Sequence, residues 1–393
     1  MGIFRKGYRP ASENLQTKAS SDDHAEMTPS ASAGRSFLSW FLIGTAVAAI
    51  LQFGQARVMA GVPEGLLFAG RLEPAHELVV DELPNTPVFD GLGHDGQIFY
   101  AIGLDLRGQA VPDVVGSAAY RYRRILYPAL ASGLGVLDGA GLLWGMIGLA
   151  AVSVGLAAGA VAALAAKLAL PAWAPVTVLL NPAIWLSARL LTADNLAFAL
   201  ALLATLAFVN GRYWWALVGL AAAALTKEPY LAFALGLSGF AWFRGERRWG
   251  IGLAVASAAS LIPWWAYISL EIGNPISSGS TLVPPLSGLI AATRTWPSLD
   301  PRDLFYLAAT LIGLVSSLWV IARRWNLWSW LAAPWLAVAF LSSEAVWQFG
   351  NNAVRSFAPL LTLGILGVID NFGRNRSAID GNTKDATAPM TVL

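Results

Sequence analysis

Ten apolar runs separated by short polar breaks constrain this chain more than any motif in it: Phe37–Phe53, Leu142–Ala166, Trp173–Leu191, Asn195–Val209, Trp214–Leu225, Tyr230–Phe243, Ile251–Leu270, Leu304–Ala322, Leu327–Leu341 and Ala353–Val368. A soluble domain has no way to bury so much continuous apolar sequence, and 56% hydrophobic against 13% charged residues agrees. The expectation is an all-α, polytopic membrane bundle of about ten spans. Several runs are shorter than the roughly 20 residues that a crossing takes. Trp214–Phe243 is either one overlong helix or a hairpin broken at "TKEP". Arg212 at one end and Arg244, Arg247 and Arg248 at the other favour the hairpin, because both ends then suit the cytoplasmic side.

The breaks carry the topology. Lys167, Arg212, Arg244–Arg248, Arg323–Arg324 and Arg374–Arg376 fall on the same side as the basic segment before Phe37, so both termini are expected in the cytoplasm. This gives a disordered cytoplasmic tail at 1–36, a membrane domain at 37–370 with a long first extracytoplasmic loop at 58–141, and a second disordered tail at 371–393. A long polar tail ahead of the first run reads as an uncleaved span rather than a signal peptide. The expected location is a bacterial inner membrane. A net charge of +2 with dispersed basic residues gives no nucleic-acid footprint, and a chain without cysteine offers no disulfide or thiolate site. No internal repeat is evident, which counts against a secondary transporter.

The remaining polar clusters all fall on the outer side. Asp90 and Asp95 bracket the turn "GLGH", and "IFYAIGL" after it has the character of a short helix lying on the membrane surface, with Gln97 and Tyr100 at the interface. Asp95 is then either the N-cap of that helix or a carboxylate presented for chemistry. "YRYRRILYP" places Arg121, Arg123 and Arg124 where the positive-inside rule expects few cations; they either grip lipid head groups or hold a phosphate. Lys227 and Glu228 at the tip of the hairpin are either a self-paired solvated turn or a phosphate contact. Thr192 and Asp194 read as helix caps, with sugar contact as the alternative.

Near the last run, Glu344 is a candidate partner for Arg355, while Trp347 and Gln348 would suit a sugar face and its hydroxyls, with Trp347 read otherwise as an ordinary tryptophan of the interfacial belt. His94 has no second nitrogen ligand nearby, so no cofactor is expected and a divalent cation stays an open option. No phosphate-binding glycine loop is present, which points away from a nucleotide-sugar donor.

"HDGQIFY" followed by "RRILYPALA" resembles the first outer loop of membrane mannosyltransferases of the GPI-anchor second-mannose type and, more broadly, the type C glycosyltransferases. Asp95, Gly96, Tyr127 and Pro128 are the matching positions; His94 stands where that pattern has tryptophan. The resemblance implies a polyprenyl-phosphate sugar donor, an envelope glycan or glycolipid acceptor, and inversion at the anomeric carbon. It implies Asp95 as general base, with Asp90 the second choice, and Arg355 at the donor phosphate. The rival expectations are a transporter or flippase for lipid-linked saccharides and a non-catalytic assembly subunit.

Overall fold

The computed structural model describes residues 29–59, 61–135, 139–275 and 282–386; residues 1–28 of the expected tail at 1–36, 387–393 of the expected tail at 371–393, 60 and 136–138 of the expected first loop, and 276–281 of the loop before Asp303 lie outside them. Helix α1 (Pro29–Met59) leads into a first loop that holds a 3-10 turn at Pro63–Leu67, strand β1 (Ala69–Gly70), α2 (Ala75–Glu82) and β2 (Val88–Phe89), the strands pairing in parallel. Three loop helices follow, α3 (Asp95–Leu104), α4 (Ala118–Arg121) and α5 (Leu126–Gly135), and then the long α6 (Gly139–Lys167). Next come α7 (Val176–Leu179), α8 (Pro182–Arg189), α9 (Asp194–Val209), α10 (Tyr213–Thr226), α11 (Leu231–Phe243), α12 (Arg247–Ala259) and α13 (Leu261–Glu271). The chain closes with α14 (Ser287–Ala292), α15 (Pro301–Arg323), α16 (Leu327–Leu341), α17 (Glu344–Trp347), α18 (Gly350–Ser356) and α19 (Ala358–Ala386). The architecture is all-α.

Four helical stretches among the described residues are long and apolar enough to cross a membrane: Ala33–Val58, Gly139–Lys167, Arg247–Glu271 and Pro301–Arg323. A fifth exists if α18 and α19, bent by 61° against each other, count as one span. α9, α10 and α16 are apolar but shorter. At 1.5 Å per residue the 29 residues of α6 reach about 43 Å, more than the roughly 30 Å hydrocarbon layer. α6 packs on α1 through small residues: Gly44 faces Gly155, and a Cβ on Gly155 would collide with the Phe41 carbonyl and the Thr45 hydroxyl.

The structure departs from the sequence reading in four places. The run Trp173–Leu191 is not one helix but α7 and α8. Asn181 caps α8 by accepting from the Ala183 N–H at 3.0 Å, Pro182 takes the first helical position, and Asn181 Nδ2 donates to the Ala358 carbonyl at 2.8 Å. The last run is bent rather than straight. Pro359 has no N–H to offer the Arg355 carbonyl, and the helix breaks at Phe357. The expected tails are partly helical, since α1 begins at Pro29 and α19 continues to Ala386. And α3 is no surface helix: every residue from Gly96 to Gly103 is buried.

The hairpin reading holds. Tyr213 at the start of α10 stacks on Trp249 of α12 at 4.7 Å, so Arg212 and Arg247 share one end of the bundle, and the turn that carries Lys227 and Glu228 lies at the other. Behind that turn the core is aromatic, with Tyr230, Phe233 and Trp335 in mutual edge and stacked contact.

Candidate functional site

The segment around Asp95 is fixed by a side chain that looked interfacial in the sequence. Gln97 is fully buried; its carbonyl oxygen accepts from the Gly70 N–H at 2.9 Å and its amide donates to the Leu92 carbonyl at 2.7 Å. Gly93 makes this possible, because at φ +66° a Cβ would run into the Phe68 carbonyl and the Gly70 backbone. His94, extended, takes the N-cap position, so Asp95 is the first helical residue and not the cap. Its carboxylate sits at the positive end of α3 and is free to point elsewhere.

It meets two guanidinium groups. Arg121 Nη1 donates to Asp95 Oδ1 at 2.5 Å, and Arg355 Nη2 donates to Asp95 Oδ2 at 3.0 Å. Arg355 also reaches Asp194 Oδ2 at 3.3 Å, and Asp194 Oδ1 pairs with Lys227. Asp194 is held further by the Thr192 hydroxyl at 2.7 Å and is almost wholly removed from solvent. Glu228 sits between Arg123 at 2.8 Å and Arg124 at 3.4 Å. Lys227 and Glu228 therefore do not pair with each other, and the turn is not a solvated one.

The arginines are arranged by aromatic rings. The guanidinium of Arg123 lies 4.1 Å from the centroid of Tyr120 and that of Arg124 lies 5.0 Å from it, while Arg124 Nη2 donates to the Tyr120 hydroxyl at 2.7 Å. The segment that bears them is pinned by Trp264, whose indole N–H donates to the Tyr122 carbonyl at 2.7 Å, and by the Tyr122 hydroxyl on the Asp105 carbonyl at 2.7 Å.

Asp95, Tyr120, Arg121, Arg123, Arg124, Lys227, Glu228 and Arg355 line a cavity of about 810 Å³, within the range of small-molecule sites. The rest of the lining is mostly apolar, with Trp265, Leu282, Val338, Val346 and Phe357 beside Ser342, Asn352 and Ser356.

Burial alone would raise the Asp95 carboxyl, but the charges of Arg121, Arg355 and Arg124 outweigh it and hold the group well below the usual carboxylate range. Burial would likewise lower Arg124, and Glu228 beside it pushes it up instead. His94, packed edge-on against Phe68 at 4.8 Å, is lowered from 6.5 to about 4, first by burial and then by Arg355, against the opposing charge of Asp95. Its imidazole is neutral at pH 7.

The candidates thus divide. Asp95, Arg121, Arg123, Arg124, Lys227, Glu228 and Arg355 converge on the cavity, drawn from the first loop, the α10–α11 turn and α18. Asp90 does not: its side chain is 99% exposed and its ion-pair partner, at 3.7 Å, is Arg71. Tyr100 and Tyr127 are core residues, Tyr127 set against Phe99 at 5.4 Å with its hydroxyl on the Met146 carbonyl at 3.4 Å. Glu344 is exposed and leaves Arg355 to Asp95 and Asp194. Gln348 is half-buried outside the cavity wall, and Trp347 is fully buried, its indole N–H on the Ala339 carbonyl at 3.2 Å.

Sequence reasoning gave too little weight to Asp194, whose signal was an ionisable residue opening an apolar run, and passed over Tyr120 and Trp265. Among the described residues no group of three or more His, Asp or Glu side chains converges as metal ligands would. Comparison of the chain with family models, with curated proteins and with solved structures finds no match.

Proposed function

We propose that this protein is a membrane glycosyltransferase that moves a sugar from a polyprenyl-phosphate donor to an envelope glycan or glycolipid, on the extracytoplasmic face of a bacterial inner membrane, with both termini cytoplasmic. The observation that carries this reading is the one cavity edge at which a carboxylate, Asp95, stands between Arg121 and Arg355, beside Arg123, Arg124 and Lys227. A sugar transferred from a lipid phosphate needs a base at the acceptor hydroxyl and cations at the departing phosphate. Both kinds of group meet here within hydrogen-bond distance. The apolar walls suit a lipid substrate, and the type C arrangement with about ten spans belongs to the same reading.

In this reading Asp95 takes the acceptor's proton, and the acceptor oxygen attacks the anomeric carbon from the side opposite the phosphate. A carboxylate gripped by two guanidinium groups is a weak base. The donor phosphate supplies the remedy, because it competes for Arg121 and Arg355 and leaves Asp95 more basic at the moment when donor is present.

The same ion pairing favours a second reading, a flippase or carrier that binds lipid-linked saccharides without breaking a bond. Incubating the purified protein with radiolabelled polyprenyl-phosphate sugars and extracted envelope lipids separates the two. Sugar transfer that disappears in Asp95→Asn supports the enzyme. Donor binding without transfer from any sugar in the panel would leave the binding protein.

A further inference from the structure

The cavity charges do not cancel. Arg121, Arg123, Arg124, Lys227 and Arg355 on the cavity lining are set against Asp95 and Glu228 there and against Asp194, which pairs with Lys227 and Arg355 outside the lining, an excess of two positive charges among side chains that are largely buried. The neighbouring His94 is neutral at pH 7, and residues 276–281, which precede the cavity residue Leu282, carry no ionisable side chain. Arg121 Nε and Arg355 Nε are buried without a hydrogen-bond acceptor, and the Arg355 side chain is only 10% exposed. Uncompensated buried charge and unmet donors are both costly, and an anion of matching charge relieves both.

We infer that this site is matched to a dianionic lipid monophosphate in preference to a monoanionic phosphodiester. The inference rests on the transfer reading for the identity of that ligand: it is the leaving group. In transfer the acceptor O–H proton passes to Asp95 and the acceptor oxygen forms the new bond to the anomeric carbon. The bond from that carbon to the phosphate oxygen breaks, with its electron pair staying on the phosphate. A diester with one charge becomes a monoester with two. Net charge is conserved while the proton stays on Asp95; once Asp95 has released it, the excess of two positive charges matches the monoester rather than the diester. The apolar walls at Leu282, Val338 and Val346 accommodate the chain.

The test uses the intact protein in detergent, reading tryptophan fluorescence, since Trp265 lines the cavity. Three probes are titrated at pH 8 and pH 5: a short-chain polyprenyl monophosphate, its methyl phosphodiester and inorganic phosphate. The monophosphate should bind about tenfold or more tightly than the diester at pH 8, the effect of one further charge-assisted contact. The gap should close at pH 5, where a monoester whose second pKa is about 6 carries a single charge. The diester serves as the control for any titration of the protein.

Equal affinity of monoester and diester at pH 8 would overturn the charge match. Inorganic phosphate binding as tightly as the lipid monophosphate would overturn the lipid as ligand. Preferential monophosphate binding by a protein that transfers no sugar would sink the enzyme reading and leave this inference standing.

Discussion

Asp194 and Lys227 form an ion pair with almost no access to water, their side chains 4% and 11% exposed, and Arg355 joins the same carboxylate. Removing one member of such a set strands the others. Asp194→Asn is expected to destabilise the protein by about 3–5 kcal/mol, the scale for breaking a buried pair. Adding Lys227→Met should recover part of the loss, because the stranded ammonium goes with it. Thermal unfolding of wild type, both single variants and the double variant gives the coupling; additive effects would mean that the two residues do not interact.

That pair also marks where the sequence stopped being informative. An uninterrupted run such as Leu142–Ala166 announces α6, since no proline or charged residue breaks it and its length exceeds that of a crossing. Trp173–Leu191 reads the same by hydropathy, yet Asn181 and Pro182 divide it, and the partners that hold Asn181 in place lie on α19. Likewise "IFYAIGL" is apolar enough for a membrane surface or for a protein interior, and only its distant neighbours decide.

The ionic site has the same character. Lys227 and Glu228 are adjacent, which suggests a self-paired turn, but their partners lie 33 and 104 residues away; Asp95 meets Arg355 across 260 residues. The residue types were legible, and the pairing was not, because side chains that project from a turn are paired by the fold.

The contact between α1 and α6 predicts opposite signs for one substitution at two glycines of the same helix. At Gly148 a Cβ meets nothing within 4 Å, so Gly148→Ala should raise stability by up to about 1 kcal/mol through helix propensity. At Gly155 the same methyl collides with α1, and Gly155→Ala should cost about 1–3 kcal/mol as the helices are pushed apart. Melting temperatures in one detergent suffice to compare them. Two shifts of the same sign would count against this helix packing.

His94 gives a dependence on pH. Its imidazole titrates near 6.5 in the unfolded chain and is lowered to about 4 in the fold, chiefly by burial. Above pH 6.5 neither state binds the proton, and the residue contributes nothing to the slope. Between pH 6.5 and 4 the unfolded chain is protonated and the folded one resists, so stability falls with pH, by about 3 kcal/mol when fully developed. His94→Gln has no such proton to take. Wild type should therefore lose more stability than the variant between pH 7.5 and pH 4.5, and parallel losses would show that His94 is more solvated than its packing on Phe68 implies.

Asp95→Asn separates chemistry from binding by the direction of its effects. From the sequence, asparagine would only have to replace a capping aspartate, and stability would be untouched. The structure changes that expectation, because His94 holds the cap and the Asp95 carboxylate neutralises Arg121 and part of Arg355. Stability should fall, by about 1–3 kcal/mol for charge-assisted bonds at a site still partly open to water.

Anion affinity should move the other way. With one carboxylate gone, Arg121 and Arg355 are left to the phosphate, and a polyprenyl-phosphate sugar should bind more tightly than it does to wild type. Transfer should nonetheless drop by about a hundredfold or more, since an amide accepts no proton from the acceptor hydroxyl. Calorimetric titration with the donor and a single-turnover assay measure the two effects side by side. Tighter donor binding with transfer intact would remove Asp95 from the chemistry and leave it as a gate on the arginines; weaker binding would mean that its carboxylate organises those arginines rather than competing for them.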